Sequence, residues 1–165
     1  MKKLIFIAGA AVAVVAVAAA VYYGRFLFIQ TVVEEQIPQE MNPPTLPGGG
    51  MKSGLETAKQ GEFREIDFIH KGSGRASLLK DESGHKIIRF EDFKVTNGPD
   101  LYVYLSRNPA PGKSKESLGE FVSLGRLKGN VGSQNYDAPQ DAEDYASVVI
   151  WCRQFGALFS YATLE

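Results

Sequence analysis

One cysteine, Cys152, two histidines, His70 and His85, and three methionines are the residue types that hold a blue-copper ion. Such a site places a histidine and then a methionine shortly after the cysteine, on one loop. No histidine or methionine follows Cys152, and every methionine lies at or before Met51. The order of the residues speaks against copper, and no metal site is expected. A lone thiol also excludes an intramolecular disulfide, a four-cysteine zinc site, an iron–sulfur cluster and covalent c-type haem. Gly112-Lys113-Ser114 ends like a phosphate-binding loop, but Arg107 stands where that motif needs its first glycine. It reads as a solvated loop, and no cofactor is expected.

Neither histidine has a serine or aspartate placed by motif to form a hydrolase triad. His85 follows Gly84 in a turn and reads as an exposed turn residue. His70 precedes Lys71-Gly72-Ser73-Gly74 and reads as a structural hydrogen-bonding group, not a catalytic one. Cys152 is the informative residue. Along 147–153, Val148, Ile150 and Cys152 share one face, while Val149 and Trp151 share the other. Both faces are apolar, so the strand is internal. Two readings of Cys152 stay open: a small buried hydrophobe, which free cysteines often are, or a redox thiol.

The elements around these residues are short. Runs at 62–69, 74–80, 86–90, 93–96, 101–106, 121–124, 133–137, 147–153 and 157–164 read as strands. Turn residues separate them, notably Asp81-Glu82-Ser83-Gly84 and Asn97-Gly98-Pro99-Asp100. Leu101, Val103 and Leu105 alternate with Tyr102 and Tyr104. Residues 61–165 show no amphipathic stretch of helical length. The expected fold class is all-β, an antiparallel β-sandwich or barrel-like domain over 61–165.

Residues 4–23 form a 20-residue run in which only Gly9 falls outside the apolar set. That length suits a helix crossing a hydrocarbon core of about 30 Å. Lys2 and Lys3 precede the run and Arg25 alone follows closely, which puts residues 1–3 in the cytoplasm and the rest outside. Tyr22, Tyr23, Phe26 and Phe28 suit an aromatic belt at the far end. A cleaved secretory signal ending near Ala18-Ala19-Ala20 is the competing reading. The uncleaved anchor is favoured, because the apolar core is long and continues through Ile29. Residues 24–60, with Pro38, Pro43, Pro44, Pro47 and Gly48-Gly49-Gly50, read as a linker holding the domain off the membrane. Within it, 32–36 is read as a brief helical extension and 54–60 as a short turn. The net charge is -1, and 61–165 is mixed in sign, so a nucleic-acid partner is not expected.

Several stretches taken together resemble a known family. They are Phe68-Ile69-His70-Lys71-Gly72-Ser73-Gly74-Arg75-Ala76, then Phe93 and Asn97-Gly98-Pro99-Asp100-Leu101-Tyr102-Val103-Tyr104-Leu105. Next come Leu127-Lys128-Gly129-Asn130-Val131-Gly132-Ser133-Gln134-Asn135-Tyr136, and Ser147-Val148-Val149-Ile150-Trp151-Cys152 with Phe155 and Phe159. Residues 61–165 resemble the DM-thirteen domain, found beside DOMON domains in Skeletor-like animal proteins and in exported bacterial proteins. The resemblance implies a small extracytoplasmic β module. It also implies that Cys152 is the family's proposed electron-transfer cysteine, with an unnamed redox partner. The alternative is a non-enzymatic surface or periplasmic module binding a protein or polysaccharide, with Cys152 in its core. Turnover of its own ranks behind both.

The charge bias across 4–23 generates the first prediction. Protease added to intact spheroplasts should digest 61–165 and leave the anchor in the membrane. Protection in intact cells, with digestion only after lysis, would refute that topology.

Overall fold

The computed structural model describes residues 12–22, 24, 30–38, 41 and 54–165. Residues 12–22 are helical. Among the described residues, no helix is long and apolar enough to cross a membrane. The rest of the 4–23 run lies outside them, as does most of the Pro/Gly stretch.

Among the described residues, nine strands make one sheet: β1 (Val32–Glu34), β2 (Glu56–Arg64), β3 (Gly72–Lys80), β4 (Lys86–Val95), β5 (Leu101–Ser106), β6 (Phe121–Arg126), β7 (Val131–Asp137), β8 (Ser147–Cys152) and β9 (Ala157–Thr163). Their order is β1-β7-β4-β3-β2-β9-β8-β5-β6. The sheet curls into a half-barrel and packs its inner face on itself. The expected two-sheet sandwich is therefore corrected to a single curled sheet, close to the barrel-like alternative. It is not wholly antiparallel either, because β1 pairs with β7 in parallel.

The inner core is aromatic. Phe63 meets Phe90 and Phe93 at centroid distances of 4.9 and 4.7 Å, and Phe90 meets Tyr136 at 5.2 Å. Phe90 and Phe93 are three residues apart, yet both point inward. Asp92, with φ of 49°, forms a bulge that resets the alternation between them. The runs at 86–90 and 93–96 are thus one strand, not two. On the outer face, Tyr104, Leu118, Val149, Trp151 and Leu158 form a second cluster.

Other boundaries also differ from the sequence reading. The strand expected over 62–69 ends at Arg64. There the Asp67 carboxylate accepts hydrogen bonds from the Ile69 and His70 backbone at 3.0 and 2.8 Å and folds the chain into a turn. In the other direction, β2 begins at Glu56, inside the segment read as a turn. Most of β2 is half-exposed or exposed, so no apolar alternation marks it. Residues 32–34 are strand, not helical extension. The stretch read as linker, 24–60, therefore contains all of β1 and the start of β2. Met41 is also buried there, in a cluster with Leu79 and Ile87.

The β1–β7 contact depends on Gly132. Its φ is 106°, and a Cβ there would collide with the Val33 carbonyl. Gly132→Ala should push β1 off β7 and cost about 1–3 kcal/mol, the range for forced backbone strain. Urea denaturation reads the cost. Amide exchange at Glu35, whose N–H donates to Ser133 O at 2.8 Å, should accelerate first. Unchanged exchange at Glu35 would show that β1 does not depend on this glycine.

Candidate functional site around Cys152

Cys152 ends β8 and pairs with Leu101 of β5 and Ala157 of β9. All six residues of β8 are buried. The thiol is free, has 0% exposure, and lies in the inner cluster with Val148, Ile150, Leu101 and Phe159. Trp151 faces the outer cluster, so the two-faced pattern read from the sequence holds.

Four chain segments meet at this end of the sheet, which we call the rim: 65–71, 96–100, 127–130 and 153–156. A bulge in the β8–β9 pairing, between Ile150 and Trp151, leaves Phe159 opposite no partner and turns it inward. The Phe159 ring meets His70 edge-on at 4.5 Å. A Cβ on Gly98 would come within 3.0 Å of the same ring. Gly98 is absent from the residues with positive φ, so close approach, and not a left-handed backbone, is what requires glycine there.

His70 is held by Asp67, its Nδ1 3.0 Å from Oδ1. Lys113 Nζ donates to Asp67 Oδ2 at 2.9 Å. The loop carrying the phosphate-site look-alike thus packs its lysine on a carboxylate. His85 lies in the β3–β4 turn at the opposite end, with Nε2 3.6 Å from Asp137. His70, His85 and Cys152 are therefore not brought together. Among the described residues, no group of three or more His, Cys, Asp or Glu side chains could hold a metal.

Arg153 follows Cys152 but leaves on the other side. Its Nε donates to Tyr104 Oη at 2.7 Å, and its guanidinium lies 3.4 Å from the Tyr102 ring centroid. The tyrosine alternation along β5 was legible in the sequence. This cation-π stack was not, because it depends on the β5–β8 register.

The motif 127–136 is a hydrogen-bond clamp. Tyr136 Oη donates to Gln134 Oε1 at 2.7 Å and accepts from Lys128 N at 3.0 Å. Gln134 Nε2 donates to Gly129 O, also at 2.7 Å. Burial pushes the Tyr136 phenol far above its ordinary value, so it stays a neutral donor. Asn130 Oδ1 accepts from Thr31 N at 2.7 Å and fixes the entry to β1.

A model of the family described as Electron transfer DM13 matches residues 62–164. The chain belongs to the DM13 family. Neither a curated protein nor a solved structure matches it. The match runs from the end of β2 to the residue after β9, so the DM13 domain takes in the rim and Cys152.

Asp67 sets a pH dependence for this rim. The Lys113 hydrogen bond, then those from His70, hold its carboxyl well below the usual range. A depressed carboxylate stabilises the fold fully above its unfolded pKa of about 3.9 and loses that contribution as pH falls below it. Asp67→Asn should therefore lower the urea midpoint at pH 7 and flatten its decline between about pH 5 and 2. An acid limb as steep as that of the parent would overturn this assignment.

Proposed function

We propose that this DM13 domain is a membrane-anchored, extracytoplasmic module that passes single electrons, with Cys152 as its redox residue. The supporting observation is the electron-transfer family match across the sheet that carries Cys152. The apolar run at 4–23 and its flanking charges support the anchor and the export.

The setting of the sulfur narrows the chemistry. Disulfide exchange needs the Cys152 thiolate to approach a partner's disulfide in line with its S–S bond, and complete burial denies that approach. Disulfide exchange with a partner protein is therefore excluded as the working step while the domain stays folded. What remains is one-electron oxidation by an external one-electron acceptor. The S–H bond breaks, the electron goes to the acceptor, the proton passes to bulk water when local opening at the rim admits it, and a thiyl radical is left. Reduction by one electron, with uptake of a proton, restores the thiol. Trp151, next in the chain, joins the sulfur to the outer cluster with Tyr102 and Tyr104.

A second reading rests on the same burial. With 0% exposure among apolar neighbours, Cys152 is also well suited to be a packing residue. The domain is then a non-enzymatic module that binds a protein or polysaccharide.

Both readings expect slow alkylation of the folded thiol, so the test uses electron exchange. The parent should exchange one electron per chain with a soluble one-electron mediator, and Cys152→Ala should not. Cys152→Ser should cost about 1–3 kcal/mol, as a hydroxyl buried without a partner does. If the parent and Cys152→Ala exchange electrons equally, or neither does, Cys152 is a packing residue and the second reading stands.

A further inference from the structure

Three large apolar side chains stand in the open on the rim. Phe68 is 85% exposed, Phe155 54% and Ile69 46%. Phe68 and Ile69 occupy the 65–71 turn, and Phe155 the turn between β8 and β9. Antiparallel pairing of β2 with β9 brings these two turns to the same end of the sheet. The backbone of Arg153 is tied to Asp100 O at 2.9 Å, which links the β8–β9 turn to the 96–100 loop.

The amino-terminal chain enters the sheet at this same end. Thr31 is clamped by Asn130, and β1 runs parallel to β7 away from the rim. Thr31 lines a groove of about 270 Å³ with Gly98, Pro99, Leu101 and Arg126. The apolar run ends at Tyr23, and only seven residues, 24–30, separate it from Thr31. The Pro/Gly stretch cannot serve as a spacer before the domain, because it follows β1 in the chain.

We propose that the rim bearing Phe68, Ile69 and Phe155 rests on the lipid surface, with these side chains in the interfacial layer. The proposal rests on the membrane-anchoring reading above. Its occupant follows from the tether: an anchor that ends at Tyr23 leaves only residues 24–30, at most about 25 Å of extended chain, before Thr31, so the rim is held near the bilayer. The rim charges also suit a lipid surface without net charge. Lys71 faces Glu65 at 3.9 Å, Arg126 faces Asp100 at 2.9 Å, and Lys128 faces Glu35 at 2.8 Å. With these three cations matched to anions and Arg153 stacked on Tyr102, binding draws chiefly on apolar contact.

The test uses the full chain reconstituted in phosphatidylcholine vesicles, with Phe68→Trp, Phe155→Trp and, at the far end of the sheet, Glu82→Trp. Replacing part of the lipid with phosphatidylcholine brominated near the top of its acyl chains should quench the added fluorescence at 68 and 155 at least twofold. That at 82 should not change, and the buried Trp151 supplies the constant background. Flotation with the vesicles but equal quenching at all three positions would overturn the rim proposal while leaving the anchor intact. Failure to float would remove the anchor and this proposal with it. Emission at 68 and 155 that shifts with protein concentration, and not with bromolipid, would assign the rim to a second copy and overturn the proposal.

Discussion

Strand β8 has no side that faces water, and that constraint shapes the rest of the molecule. A single curled sheet buries its inner face on itself, which covers Val148, Ile150 and Cys152. It offers nothing for Val149 and Trp151 on the outer face. The chain covers them with the excursion between β5 and β6, which brings Leu118 over the tryptophan side of the strand. Ser106 holds that excursion through the Leu118 carbonyl at 2.7 Å, and Asn108 through the Ser117 carbonyl at the same distance. The loop is solvated over 112–116, as its sequence suggests, and beyond that stretch it lays Leu118 on the outer wall of the core. A buried hydroxyl with a partner costs little, whereas one without costs about 1–3 kcal/mol. The fixed seats of Ser106 and Asn108 follow from that difference.

A second layer of order comes from the 127–136 clamp. It closes one end of the half-barrel with buried polar groups that satisfy one another. Such a network adds little net stability but punishes any departure from its geometry. The clamp also provides the docking site for β1 through Asn130 and Gly132. The position of the amino-terminal chain is thus decided more than ninety residues downstream of it.

The sequence was most legible where alternation is strict. Strand β5 matched residue for residue, because its aliphatic and tyrosine positions separate cleanly onto two faces. The two apolar faces of β8 marked an internal strand, while the choice between a buried hydrophobe and a redox thiol at Cys152 stayed open until its 0% exposure was seen. Legibility failed where pairing, not burial, makes the strand. Residues 56–62 carry no periodic apolar signal, and β1 is three residues long. Neither shows a pattern until its partner strand is known. Proline and glycine around them suggested a spacer, a reading that β1 undoes. Of the site, Cys152 and its neighbours were visible, as was the structural role of His70. The Arg153 stack on Tyr102 and Tyr104 was not, since register across strands cannot be read from one strand alone. The family resemblance joined stretches that local patterns leave separate.

The pairing of β1 with β7 also dictates an order of assembly. Thr31 and Asn130 are 99 residues apart in sequence. The strand synthesised first therefore has no neighbour until almost the whole sheet has been made. Hairpins such as β3–β4 and β8–β9 close over short loops and form early, because the entropy lost in closing a loop rises with its length. β1 is the last piece to seat, on a sheet already curled and already held by the 127–136 clamp. Maturation of this domain ends at its beginning.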